Sequence, residues 1–285
     1  MSGRTPVPVV AAQVLSHPDA LPATAAFVRT VLTEFFALQF SVRLGFRTVP
    51  VVDVDHPLDE RVPFVPDRIG AYLDFIAFWI RPLGDIRRRY GGRAQRRVAV
   101  EFLGLIRQCY QESSGVYSRT MSTTRRPRYL KGRFLAIHAF DPHLLCVPSL
   151  HIMIVVLTWT FYRRTHRELG ADPATASALD APLFAGAVEI AETVLYIKQH
   201  SVNCIPAALY AMGRITPGDV TETDVLEFTA ALFADSPVVA PEAVVEIQAH
   251  VLATWRELVA DGAADATWQP AVLRFLARID ATTHA

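Results

Sequence analysis

Three short stretches of this 285-residue chain carry side chains that could act on a phosphate. Arg119 and Arg126-Pro127 lie in a polar segment, with six residues between the two arginines. Guanidinium groups are permanently charged forks of donors and suit phosphate oxygens. Pro148-Ser149-Leu150-His151 opens an apolar stretch. Ser149 is placed to cap a helix there, so that its hydroxyl and the free N–H groups of the first turn offer a seat for an anion. His151, in that first turn, can exchange a proton with whatever binds. Lys198-Gln199-His200 closes a second apolar stretch with an ammonium and an imidazole. Each has a plain structural reading: a surface loop rich in arginine, a capped helix with a packed histidine, and cations at a helix C-terminus. Together they suggest three sides of one phosphate-sized site.

The elements that must position these residues read as helices. Residues 1–18 read as a loose tail. Pro22 to about Leu44 is a helix, with Phe27, Val31, Phe35 and Leu38 at helical spacing. Gly45 to Asp59 is a loop or short strand, and Val62-Pro63-Phe64-Val65-Pro66 is extended because each proline biases its predecessor away from helix. A helix capped by Asp67 runs to about Ile80, where Pro82 and Gly84 interrupt it. The basic cluster Arg87 to Arg97, split by Gly91-Gly92, is a solvated turn or a contact for anionic headgroups. A long helix from about Ala94 to Tyr117 follows, then a polar segment to His138. Helices are expected from Pro148 to about Tyr162 and from Pro182 to His200. Beyond Thr216-Pro217-Gly218, helices at about 223–233, 241–261 and 269–281 form a polar extension, with Val225, Leu226, Leu232 and Phe233 facing the core or another subunit. The expected fold is all-α, a helical bundle: residues 1–54 an N-terminal helix and loop, 55–213 the core, and 214–285 a C-terminal helical extension.

Composition narrows the partners. Lys plus Arg equals Asp plus Glu at 28 each, so no global field favours nucleic acid. Cys109, Cys146 and Cys204 are too few and too scattered for a disulfide framework or a cysteine-rich zinc site. A reducing, cytoplasmic setting is expected. Cys146 and Cys204 read as packed thiols, with a redox pair as the alternative. The first thirty residues lack the pattern of a secretory signal. Apolar stretches interrupted by charge favour a soluble protein, with membrane association as the alternative. Peripheral membrane contact and homo-oligomerisation are left open.

The order Arg-x6-Arg-Pro, Pro-Ser-x-His, Lys-Gln-His resembles the type-2 phosphatidic acid phosphatase and vanadium haloperoxidase superfamily. That family's pattern is Lys-x6-Arg-Pro, Pro-Ser-Gly-His and Ser-Arg-x5-His-x3-Asp. The branch related to inositol phosphorylceramide synthases is more similar, with Pro-Ser-Leu-His and a Lys-Gln-His third motif. Val62 to Pro66, with Tyr72-Leu73 behind it, also resembles the opening of that branch's first core helix. The resemblance spans roughly residues 55–213.

The resemblance implies an all-α core and a role for each matching residue. Arg119, Arg126, Ser149 and Lys198 would bind phosphate oxygens, His151 would protonate the leaving group, and His200 would be the nucleophile that carries a transient phosphate. It implies no metal, and vanadate as the cofactor of a peroxidase alternative. The substrate would be a phosphate ester or diphosphate, on a small molecule or a lipid such as an isoprenoid. Other readings are transfer of a phosphoryl headgroup to an alcohol, and a catalytically weakened protein that only binds anion or lipid. The chain departs from the pattern in three places. Arg119 stands for Lys. Thr193-Val194 stands for Ser-Arg, a loss Lys198 could offset. Cys204 stands for the Asp that orients the nucleophilic histidine. Asn203, Glu189, Asp141 and His138 are the residues that could take over part of that role.

Overall fold

The computed structural model describes residues 5–283, and the chain is predominantly helical, with only two short strands among the described residues. The first four residues of the expected N-terminal tail lie outside the described residues. The rest of that tail is largely helix: α1 (Val7–Leu15) has prolines at its start, where a missing N–H costs nothing. Its Val10 packs so closely on Gly84 that a Cβ there would meet Val10 Cγ2 at 2.9 Å. That close approach explains Gly84, which does not interrupt the helix that carries it.

Next comes a continuous rod made of α2 (Ala20–Thr30), a π-helical stretch (Val31–Ala37) and α3 (Leu38–Arg43). Among the described residues this is the one helix long and apolar enough to cross a membrane. One of its faces is not free: Phe27 packs against Trp79 and Tyr110, and Phe35 against Tyr110.

The expected loop or short strand contains β1 (Val51–Asp53), which pairs in parallel with β2 (Met121–Thr123) in the register Val51↔Met121. Between them run α4 (Ile69–Leu73) and α5 (Phe75–Tyr117). Asp67 lies in a 3₁₀ turn and caps nothing with its side chain. The predicted break at Pro82 is absent. α5 passes through Pro82 and bends instead at Gly91, whose φ of 84° only glycine adopts freely. The basic cluster therefore flanks that kink, with Arg87 tied to Gln95, Arg88 to Asp85 and Arg96 to His17.

After β2 come α6 (Arg133–Phe140), α7 (Leu150–Glu168), α8 (Pro173–Tyr196) and α9 (Cys204–Ile215). α7 is apolar on all sides from Ile152 to Trp159, the pattern of a helix buried all round. It packs against α5, α8 and α9. The extension follows the expected boundaries as α10 (Glu222–Ala231), α11 (Pro241–Asp261) and α12 (Gln269–Thr283). A capping box between Thr221 and Asp224 starts α10. Its Asp224 pairs with Arg163 of α7 at 2.6 Å, and Trp268 donates to Glu112 of α5 at 2.6 Å. Val225, Leu232 and Phe233 are buried as expected, but Leu226 is exposed.

Candidate functional site

The two strands bring the second motif into place. Ser122 of β2 bridges to Leu145, and its Oγ accepts the Val147 N–H at 2.7 Å. Tyr117, the last residue of α5, donates its hydroxyl to the Pro148 carbonyl at 2.5 Å. Ser149 then caps α7 as predicted, its Oγ accepting the Ile152 N–H at 3.4 Å. His151, in the first turn of α7, is packed between Tyr72 and Phe75, with ring centroids at 4.9 and 4.8 Å.

The third motif departs from its expected helix. α8 begins at Pro173, capped by Asp172, and passes through Pro182; it stops at Tyr196 rather than His200. Lys198 turns into the left-handed region at φ 55°. The N–H groups of Gln199 and His200 both return to the Val194 carbonyl, at 2.8 and 3.2 Å. The turn is braced from far away in sequence. Asp59 accepts the Val202 N–H at 2.7 Å, and the Lys198 ammonium donates to the carbonyls of Asp59 and Val62.

These two motifs meet. His200 Nε2 lies 3.2 Å from Ser149 Oγ and 3.4 Å from His151 Nδ1. His200 is a shared wall between two cavities. The inner one, about 60 Å³, is lined by His143, His151, Gln199, Asp141 and aromatic rings including Phe35, Tyr72 and Phe75. The outer cleft, about 660 Å³, is lined by Arg125, Arg126, Lys198, Asp55, Asp59 and Glu60.

Burial governs the electrostatics. It lowers His200 far below the ordinary imidazole range, and the nearby His151, His143 and Arg126 lower it further. Burial also brings His151 down to about 4, against an upward pull from Asp141. Both rings are neutral at pH 7. Burial lowers Lys198 as well, opposed by Asp59, Asp55 and Glu60.

The first motif converges only in part. Arg126 lines the outer cleft, but its guanidinium is already engaged: one amino group is 2.5 Å from Asp141 Oδ2, and the other reaches the Asp141 carbonyl at 3.2 Å and His138 Nδ1 at 3.4 Å. Arg119 does not join it. It sits exposed just beyond the end of α5, lines neither cavity and makes no side-chain hydrogen bond or ion pair. α5 ends at Tyr117 and the chain turns at once into β2, which carries Arg119 away from the cleft.

No carboxylate takes the place of the expected Asp. Cys204 is buried and free, and burial raises its thiol well above the usual range against an opposing pull from the Ser201 backbone. His200 Nδ1 is buried with no hydrogen-bond partner. Asn203 is used elsewhere, donating to the Val54 carbonyl and meeting His250 Nε2 at 2.8 Å. Glu189 pairs with Arg68, away from the site. Asp141 enters through Arg126 and the inner cavity wall. Cys146 lies 3.8 Å from the His143 ring and is a free thiol.

No family model, curated protein or solved structure matches this chain.

Among the described residues, no group of three or more His, Cys, Asp or Glu could hold a metal ion. Three residues of the site went unread in the sequence. Asp59 braces the third motif. Gln199, quoted only as part of its motif, is buried with both amide atoms unpartnered on the inner cavity wall. His143, at φ 63°, is held by Asp141 Oδ1 accepting its N–H and by Thr124 at 2.7 Å. The pair His56-Pro57 followed by Asp59 carried a local signal, a capping box at the 3₁₀ turn Pro57–Arg61.

Proposed function

We propose that this chain hydrolyses a phosphate ester or diphosphate through a phosphohistidine at His200, in the manner of the type-2 phosphatidic acid phosphatase superfamily. The observation that carries this reading is the junction at His200 Nε2, with Ser149 Oγ and His151 Nδ1 both within 3.4 Å. A neutral imidazole with its proton on Nδ1 presents an Nε2 lone pair to the phosphorus. Attack forms the N–P bond as the P–O bond to the leaving group breaks. His151, protonated as the bound anion raises its basicity, gives its proton to the departing oxygen. Water then attacks the phosphohistidine, His151 takes its proton, and phosphate leaves. Arg126 and Lys198 on the outer cleft, with Ser149, stabilise charge on the phosphoryl oxygens. Transfer to an alcohol follows the same path with a different acceptor.

The test is hydrolysis of p-nitrophenyl phosphate by wild type and His200→Ala, with mass spectrometry of the quenched reaction. Loss of turnover and a phosphate on His200 are expected. Equal rates for the two proteins would sink the proposal.

A specific observation favours a second reading, a protein that binds phosphate without turnover. No carboxylate meets His200 Nδ1, and Asp141 occupies Arg126. Phosphate or vanadate binding by a chain that releases no product, with turnover appearing in Cys204→Asp, would select that reading.

A further inference from the structure

We infer that the face around the mouth of the inner cavity docks on the surface of an anionic lipid bilayer. Four parts of the chain supply that face, and on three of them, the rod, α4 and α5, a lining residue is followed by an exposed one. Phe35, Tyr72 and Phe75 line the cavity, and their neighbours Phe36, Leu73 and Ile76 stand 37%, 45% and 58% exposed. The rod Ala20–Arg43, which carries Phe35 and Phe36, exposes further apolar side chains. Its Phe27 and Phe35 side rests on α5, and Leu21, Val28 and Leu32 are about half exposed on the other side. Single exposed apolar residues are ordinary, but a set gathered around one cavity is not.

The fourth part supplies charge. Between Glu112 and Asp141 the chain has no carboxylate and six basic residues. Three of them, Arg128, Lys131 and Arg133, are exposed and make no ion pair, and they alternate with exposed Leu130 and Leu135. This segment runs directly into Asp141 and His143 on the cavity wall. Cations interleaved with leucine are the composition that lies in a bilayer interface, the apolar side chains entering and the charges meeting anionic headgroups. A second copy of the chain is a poorer occupant, because the segment offers its own cations no carboxylate.

The experiment is co-sedimentation of the full chain with phosphatidylcholine vesicles, with and without phosphatidylserine. Binding is expected only when phosphatidylserine is present, and it weakens with salt. Each of Arg128→Gln, Lys131→Gln and Arg133→Gln lowers binding about fivefold, the equivalent of about 1 kcal/mol per charge. Leu130→Ser with Leu135→Ser lowers it about tenfold. All five positions are exposed, so the variants keep the fold, and circular dichroism checks this. Equal binding to both vesicle types, no binding to either, or self-association that the leucine variants abolish would each overturn the proposal. His200→Ala binds vesicles like wild type, so failure of the docking proposal and failure of the phosphatase reading are separable.

Discussion

The loop Ile197–Asn203 and the segment Arg125–Phe140 line the same outer cleft and are built in opposite ways. The loop is buried from Ile197 to Asn203 apart from Lys198, and beyond the local bonds that close its turn it is anchored to distant parts of the chain. Asp59, Val62 and Val54 hold it from well over a hundred residues away. The segment exposes Arg125, Arg128, Leu130, Lys131, Arg133 and Leu135. It is pinned by the Arg126–Asp141 pair, by Phe134 against Phe64 and Tyr129, and by the Arg125 N–H on Asp55. Density of buried contacts sets local stability. One side of the cleft is a rigid wall that carries the histidines, and the other is a thinly held flap that carries Arg126.

Acid attacks the wall. His151 and His250 titrate at about 4 when folded, chiefly because they are buried, against an ordinary imidazole value near 6.5. The unfolded chain therefore binds more protons between those values. The stability these rings contribute is full above pH 6.5 and is lost as the pH falls towards 4, by about 3 kcal/mol for each ring. His200 acts in the same direction. Urea unfolding at pH 7 and at pH 4.5 measures the difference, and equal midpoints would show that these rings are not held neutral.

Asp59 tests the wall at one point. Asp59→Ala removes the acceptor of the Val202 and His56 N–H groups and is expected to cost about 2–3 kcal/mol by urea unfolding. The same variant should lower kcat more than it raises KM, because it displaces His200. Stability loss without a change in kcat would mean that the loop keeps its shape unaided.

Asp141 tests the flap, and the effect is smaller. Asp141→Asn leaves the His143 N–H an acceptor and removes the carboxylate charge that neutralises Arg126. Inorganic phosphate should then bind about fivefold more tightly, in keeping with about 1 kcal/mol for a partly exposed pair. Weaker binding by calorimetry would show that Asp141 positions Arg126 rather than occupying it.

The same contrast explains which parts were legible in the sequence. α7 and the three C-terminal helices carry strong local signals, a long apolar run and three good starts, and their positions follow from these. Pro182 looks like a start, so the sequence places the helix before Lys198 at Pro182–His200, whereas it spans Pro173–Tyr196. The true start, Asp172-Pro173, pairs a cap with a proline at the first helical position. α1 was missed because nine nearly all-apolar residues show no polar face until Gly84 supplies the surface they pack on. The residues of the second and third motifs and their convergence could be read, but the supports that hold them together could not, since these are Asp59, Val62 and the small sheet.

The least effect belongs to Arg119, and it decides whether the first motif works as a unit. Spacing and the resemblance to Lys-x6-Arg-Pro pair Arg119 with Arg126. Yet α5 ends at Tyr117, and the turn into β2 leaves Arg119 exposed, outside both cavities and without a side-chain partner. A charge at that distance acts on a phosphate in the cleft only through solvent, where salt screens it. Arg119→Ala should therefore change kcat/KM by no more than about twofold and stability by no more than about 0.5 kcal/mol. Arg126→Ala, which empties the cleft wall and strands Asp141, should cost at least about tenfold in kcat/KM. Equal losses in the two variants would mean that the end of α5 turns inward when phosphate binds. The flap would then include Arg119, and the division between rigid wall and loose flap would have to be redrawn at Tyr117.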